Sequence, residues 1–252
     1  MLDTAVIPCG GLGTRLQPIT RWLPKELLPV GLRPVLYWAL DEIADAGLQR
    51  TIVITSPLKP AIEAAGRTYP GPIELEFEPQ RRPRGLGDAF LCARDLLAGA
   101  PFAAVLPEFL FRGPNPLHAV LELHRRAGMA AALVAGTGSE PATGRSAARP
   151  ATVREGERGL LVTDIALDGA PLDPGARRVR MLGRYVFPGD IFSELETAVR
   201  TAPPGAEVDG LAVLQGLARR GQLAGMITPA AWYEVGLPDG YRSAVADFPA
   251  QA

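Results

Sequence analysis

The sequence predicts an α/β fold, with a mixed but mostly parallel sheet flanked by helices and a small strand-rich insertion. Short apolar runs bounded by Gly or Pro alternate with stretches of helical periodicity, the pattern of buried parallel strands joined by crossover helices. At 252 residues and 47% hydrophobic, the chain can bury one sizeable core. A polar, Gly/Pro/Ser-rich stretch at 138–150, "GSEPATGRSAARP", then interrupts the alternation and reads as a mobile loop.

Taken in order, strands are expected at 4–7, 51–55, 73–77, 102–106 and 130–135. Between them, "PVLYWALDEIADAG" places Leu36, Leu40, Ile43 and Ala44 on one helical face, with proline near its start and Gly47 at its end. "GLGDAFLCARDLLAG" has the same character over 85–99. Beyond the loop, 159–169 and 179–187 read as strands around a turn-rich segment, followed by helical patterns at 189–200 and 208–220. The expected organisation is one unit over 1–252, with halves at 1–137 and 138–252 and a smaller strand layer inserted in the second. No internal repeat is visible.

Composition removes several classes of function. A net charge of −1 argues against nucleic-acid or membrane partners, which leave a basic excess. Cys9 and Cys92 give neither a disulfide framework nor a paired-thiol metal site. No apolar run approaches a membrane span, and the opening MLDTAVI is too short for a signal peptide, so a cytoplasmic protein is expected. A homo-oligomer is allowed. His118 and His124 fall in an expected helix, off a shared face, and read as surface residues.

The first strand runs into "VIPCGGLGTRLQP", and such loops at strand ends collect ligands. A Walker loop needs lysine and a hydroxyl residue directly after its last glycine, but Thr14 and Arg15 follow Gly13. A dinucleotide fingerprint needs a third glycine where Leu16 stands. What remains is a turn whose glycines let backbone N–H groups approach an anion, with Arg15 as a planar fork, or a plain βα turn. Ten residues on, "WLPKELLPV" sets Lys25 between prolines in a chain with only Lys59 as a further lysine.

Together, G-G-x-G-T-R-L-x-P-x-T and P-K-E-L-L-P-V resemble the signature of sugar-1-phosphate nucleotidyltransferases, nearest to the bacterial UTP–glucose-1-phosphate uridylyltransferases. The resemblance implies a Rossmann-like fold and attack by a sugar phosphate oxygen on the α-phosphate of a nucleoside triphosphate, UTP favoured. Pyrophosphate leaves and a nucleotide sugar forms. It further implies nucleotide binding by Gly10, Gly11, Gly13 and Thr14, and catalytic neutralisation of phosphoryl charge by Arg15 and Lys25. "QRRPRGLGDAF" resembles the base-reading segment, with Gln80 on the uracil edge and Gly85 beneath the base. "PFAAVLPEFLF" and "WYEVGLPDGY" resemble the segments bearing the Mg²⁺ carboxylates, here Glu108 and Glu234. Gly183 in "GRYVF", Glu207 and Gly236 are the implied sugar contacts.

The chain also departs from the family. Both metal positions carry glutamate where the family has aspartate. Leu167, Asp168 and Gly169 stand where a Glu-Lys-Pro segment would bind sugar and sugar phosphate, and Gly210, Leu211 and Ala212 replace a Leu-Thr-Asp stretch. Arg81, Arg82 and Arg84 either replace the lost lysine or form a solvated loop. Two classes of function follow: an active transferase, slow with glucose 1-phosphate, or a nucleotide-binding homologue acting as a regulatory partner.

Overall fold

The computed structural model describes residues 2–136, 146–157, 159–167, 171–203 and 205–248. The first half holds β1 (Thr4–Pro8), β2 (Pro29–Val30), β3 (Arg33–Pro34), α1 (Val35–Asp45), β4 (Arg50–Thr55), α2 (Pro60–Arg67), β5 (Glu74–Pro79), α3 (Leu86–Cys92), α4 (Arg94–Leu97), β6 (Phe102–Val105), β7 (Phe109–Arg112), α5 (Pro116–Ala127) and β8 (Ala130–Gly136). The second holds β9 (Pro150–Gly156), β10 (Gly159–Ile165), β11 (Arg177–Phe187), α6 (Ile191–Thr201), α7 (Leu211–Arg219), β12 (Leu223–Ile227), β13 (Ala231–Glu234) and α8 (Pro238–Asp247).

Nine strands form one sheet in the order β5-β4-β1-β6-β11-β8-β12-β10-β9. It is mixed rather than mostly parallel. β1 runs parallel to β4 and β6, and β4 to β5, because helices return the chain to the same edge each time. Between β8 and β11 the described residues hold the β9–β10 pair and no helix, so β11 comes back antiparallel to both β6 and β8. The expected inserted layer is likewise not separate. β9 pairs with β10 and with the first part of β11, and β10 meets β12 through Leu161 and Ala224, so β11, β8, β12, β10 and β9 close a ring.

Apolar spacing places the helices. α1 buries Val35, Leu36, Ala39, Leu40 and Ile43, with Ala39 rather than Ala44 completing the stripe. The helix expected over 85–99 breaks at Ala93 into α3 and α4. Phe90, Phe102, Phe187 and Phe192 pack ring on ring beneath α3 and α6, with centroids 5.2–6.0 Å apart. His118 is exposed, whereas His124 is partly buried with Nδ1 2.7 Å from the Met129 carbonyl. Of the polar loop at 138–150, residues 138–145 lie outside the described residues, as do Asp168 and Gly169. No helix among the described residues is long and apolar enough to cross a membrane.

Candidate active site

At the carboxyl end of β1 the chain leaves the sheet, with the Cys9 N–H on the Ile54 carbonyl at 2.7 Å, and enters the glycine loop. Gly13 sits at φ 66°, which turns its carbonyl back to accept from Leu16 N–H and Thr20 Oγ1. Gly10 lies against Gln80; a Cβ there would stand 2.4 Å from Gln80 Oε1, so any side chain would push the Gln80 amide aside. Among the described residues the N–H groups of Gly10, Gly11, Leu12 and Gly13 donate to no protein acceptor. A row of unused donors at a strand end is an anion cradle.

The cradle is one wall of a cavity of about 300 Å³, which Gly10, Gly11, Thr14, Lys25, Gln80, Gly85, Glu108 and Glu207 also line. A larger cavity, about 610 Å³, is lined by Leu2, Leu48, Pro101 and Gly128, at the amino ends of β1, β4, β6 and β8. Parallel sheets bind ligands at the carboxyl ends, and only the smaller cavity gathers the charged groups and free amides there.

Lys25 Nζ donates to Glu108 Oε2 at 3.2 Å, the two side chains being 19% and 24% exposed. Burial pulls the Lys25 pKa down, but Glu108 and Glu26 push it up by more, so the ammonium persists through the neutral range. Burial likewise raises the Glu108 pKa, but the Lys25 charge, hydrogen bonds from Lys25 and the backbone, and the Arg184 charge together outweigh it and hold the carboxyl below the ordinary carboxylate range. Lys25 and Glu108 therefore face the cavity as a paired cation and anion.

Gln80 is 4% exposed at the end of β5, where its N–H bonds the Thr55 carbonyl at 3.0 Å. Its Nε2 donates to the Gly85 carbonyl at 3.0 Å and to Asp88 Oδ2 at 2.9 Å. Both partners are acceptors, so the amide orientation is fixed and Oε1 is the end left without a donor among the described residues. Gly85, at φ 97°, has no room for a side chain, since a Cβ would lie 2.6 Å from the Val208 carbonyl. Arg84, one of the three loop arginines, is tied to Asp88 at 2.6 Å.

Glu108 rides the turn between β6 and β7. β13 pairs with β7 so that Glu234 faces Phe109 in register, and the Val235 N–H donates to the Glu108 carbonyl at 2.8 Å. The two predicted carboxylates thus lie on adjoining segments, Glu108 on the turn into β7 and Glu234 at the end of β13, yet Glu234 does not line the cavity. It is 3% exposed, its Oε2 accepts from Ser146 Oγ at 2.6 Å and Ala147 N–H at 2.8 Å, and its Oε1 lies 4.0 Å from Arg15 Nη1. Among the described residues no three His, Cys, Asp or Glu side chains cluster as a metal site.

The sequence matches the Nucleotidyl transferase family over residues 4–251. The chain belongs to that family. The UTP–glucose-1-phosphate uridylyltransferase of Klebsiella pneumoniae is 28% identical to this nucleotidyl transferase, covering 97% of it and 91% of the relative. The enzyme of the same description from Escherichia coli K12 is 27% identical with the same coverage. In fold, the chain is similar to a UDP-glucose pyrophosphorylase solved in complex with UDP-glucose, with a TM-score of 0.82, 22% identity and 98% of each chain covered. A UTP-bound UGPase from Acinetobacter baumannii superposes with a TM-score of 0.79 over 98% of this chain and 93% of its own.

Within this nucleotidyl transferase the remaining predicted residues take unequal places. Glu207 is exposed at the cavity rim. Gly236 lies behind Glu108, where a Cβ would meet Glu108 Cβ at 3.4 Å. Gly183 is buried at φ 65° in an irregularity of β11, with its carbonyl on Leu106 N–H at 2.9 Å and Phe109 where a Cβ would go. Neither glycine lines the cavity. Arg15 is exposed and lies outside the lining too.

Sequence reasoning missed Arg184, which is fully buried. Its guanidinium holds Glu42 through two bonds of 2.7 Å, and donates to the carbonyls of Leu106 and Phe109 at 2.8 Å each, on both sides of Glu108. The Phe111 ring packs 4.8 Å from it. An arginine inside the apolar run "VRMLGRYVF" was the available signal, because a buried arginine requires partners.

Proposed function

We propose that this chain is a sugar-1-phosphate nucleotidyltransferase that uses UTP and Mg²⁺. The observation that carries the reading is the convergence, in one cavity at the carboxyl end of the sheet, of the unused loop amides with Lys25 and Glu108. The names of the full-length relatives support it.

In this reading a sugar phosphate oxygen attacks the α-phosphorus in line; that P–O bond forms, the α–β bridging bond breaks, and the electron pair leaves on pyrophosphate. No protein group needs to take a proton. The amides of Gly10, Gly11 and Gly13, with Thr14, hold the phosphates, Arg15 closes over them from outside, and Lys25 balances the negative charge spread over phosphoryl oxygens. Mg²⁺ would supply further neutralisation and template the phosphates, a role suited to few protein ligands. Glu108, which lines the cavity, would hold that ion through its carboxylate, whereas Glu234, outside the lining, would have to reach it through Oε1, since Ser146 and Ala147 occupy Oε2. The sugar lies on the side of Glu207 and Gly236, toward the second half of the chain. Gly183 serves that side indirectly, by seating the turn that carries Glu108.

Gln80 supplies the base test. Gly85 and Asp88 consume the Nε2 donor of the Gln80 amide, so only Oε1 reads the base. It accepts from the N3–H of uracil or thymine, whereas cytosine turns a lone pair toward it. A buried mismatch of that kind costs about 1–3 kcal/mol, so calorimetry should find UTP bound about tenfold or more tightly than CTP. Equal affinities would remove Gln80 from the base site, and no binding of UTP at all would overturn the proposed function.

A further inference from the structure

Lys59 lies behind the glycine loop, 9% exposed, and does not line the cavity. Its Nζ donates to the Cys9 carbonyl at 3.1 Å, to the Gly11 carbonyl, and to Glu26 at 3.1 and 3.4 Å. Glu26 is 1% exposed and follows Lys25 directly in the chain. One ammonium therefore joins the back of the loop to the turn that carries the cavity's cation.

A buried ion pair is weak evidence for stability, because desolvating both charges offsets their attraction and apolar replacements are often neutral. The geometry points to another use for it. The peptide bonds after Cys9 and Gly11 are trans, so each carbonyl and the following N–H point in opposite directions. With both carbonyls drawn back onto Lys59, the N–H groups of Gly10 and Leu12 face the other way, toward the cavity that Gly10, Gly11 and Leu12 line. We infer that Lys59 is a positioning residue that sets the peptide orientation of the phosphate cradle, paired with Glu26 so that cradle and Lys25 move as one. This rests on the proposed function, in which the cradle holds the triphosphate.

The test compares wild type with the double variant Lys59→Met/Glu26→Leu, which removes both buried charges together. Melting curves report folding, and calorimetry reports affinity for UTP and for uridine, which lacks phosphates. The expected result is a folded variant that binds UTP about tenfold or more weakly and uridine unchanged, because only phosphate contacts are disturbed. Should UTP and uridine affinities both stay at wild-type values, the inference is overturned while the proposed function stands. Should wild type itself not bind UTP, both fall. In ¹⁵N-labelled wild type, whatever the variant does, the Gly10 and Leu12 amide protons should move downfield with UTP and not with uridine; amides that UTP leaves unmoved would overturn the inference.

Discussion

Lys25→Met is expected to lower kcat for nucleotidyl transfer by about 10²–10³, the usual cost of removing one preorganised electrostatic contact to a developing charge. The protein should stay folded, because Glu108, 24% exposed, can take water in place of its partner. Lys25 is protonated through the neutral range, so the loss should be the same across neutral pH and appear in kcat more than in the KM of either substrate. Steady-state pyrophosphate release checks this. A variant with wild-type kcat would place Lys25 outside the reaction.

Arg184→Met should be the most destabilising single change at the site, by about 3–5 kcal/mol, because it leaves the largely buried Glu42, 12% exposed, without its partner and strips donors from the Leu106 and Phe109 carbonyls. In a chain of this size that corresponds to a fall in Tm of roughly 6–20 °C. Removing both charges with Arg184→Met/Glu42→Leu should recover part of the loss, the signature of coupled partners. Calorimetric melting measures both variants, and a single variant that melts with wild type would show that the ion pair does not hold the Glu108 turn.

Much of the nucleotide half was legible in the sequence because its information is local. The apolar bursts at β1, β4, β5, β6 and β8 stand out against Gly and Pro, and the glycine loop with Lys25 lies within one short stretch. Strand direction was not legible. A strand buried on both faces reads the same whichever way it runs, so the run at 179–187, expected in an inserted layer, carries no sign that β11 lies in the main sheet antiparallel to β6 and β8. The α3–α4 break at Ala93 carries no proline or glycine to announce it.

At the site, what escaped was pairing over long separations. Glu42 and Arg184 are 142 residues apart, and Glu26 and Lys59 are 33 apart. Nothing local marks one as the other's partner. Gln80 shows the same limit from the other side: its position was readable, but the Asp88 and Gly85 bonds that consume its donors follow from how α3 docks. Glu234 was readable as a carboxylate on the strand beside Glu108, and its bonds to Ser146 and Ala147 were not.

In the proposed reaction this cavity joins a nucleoside triphosphate to a sugar 1-phosphate. Phosphorus NMR of the protein with UTP, Mg²⁺ and, in turn, a panel of sugar 1-phosphates including glucose 1-phosphate tests it most directly. With at least one sugar the pyrophosphate resonance and the paired resonances of a UDP-sugar should grow together in equal amounts, and Lys25→Met should slow both. A folded protein that binds UTP and releases no pyrophosphate with any member of the panel would contradict it.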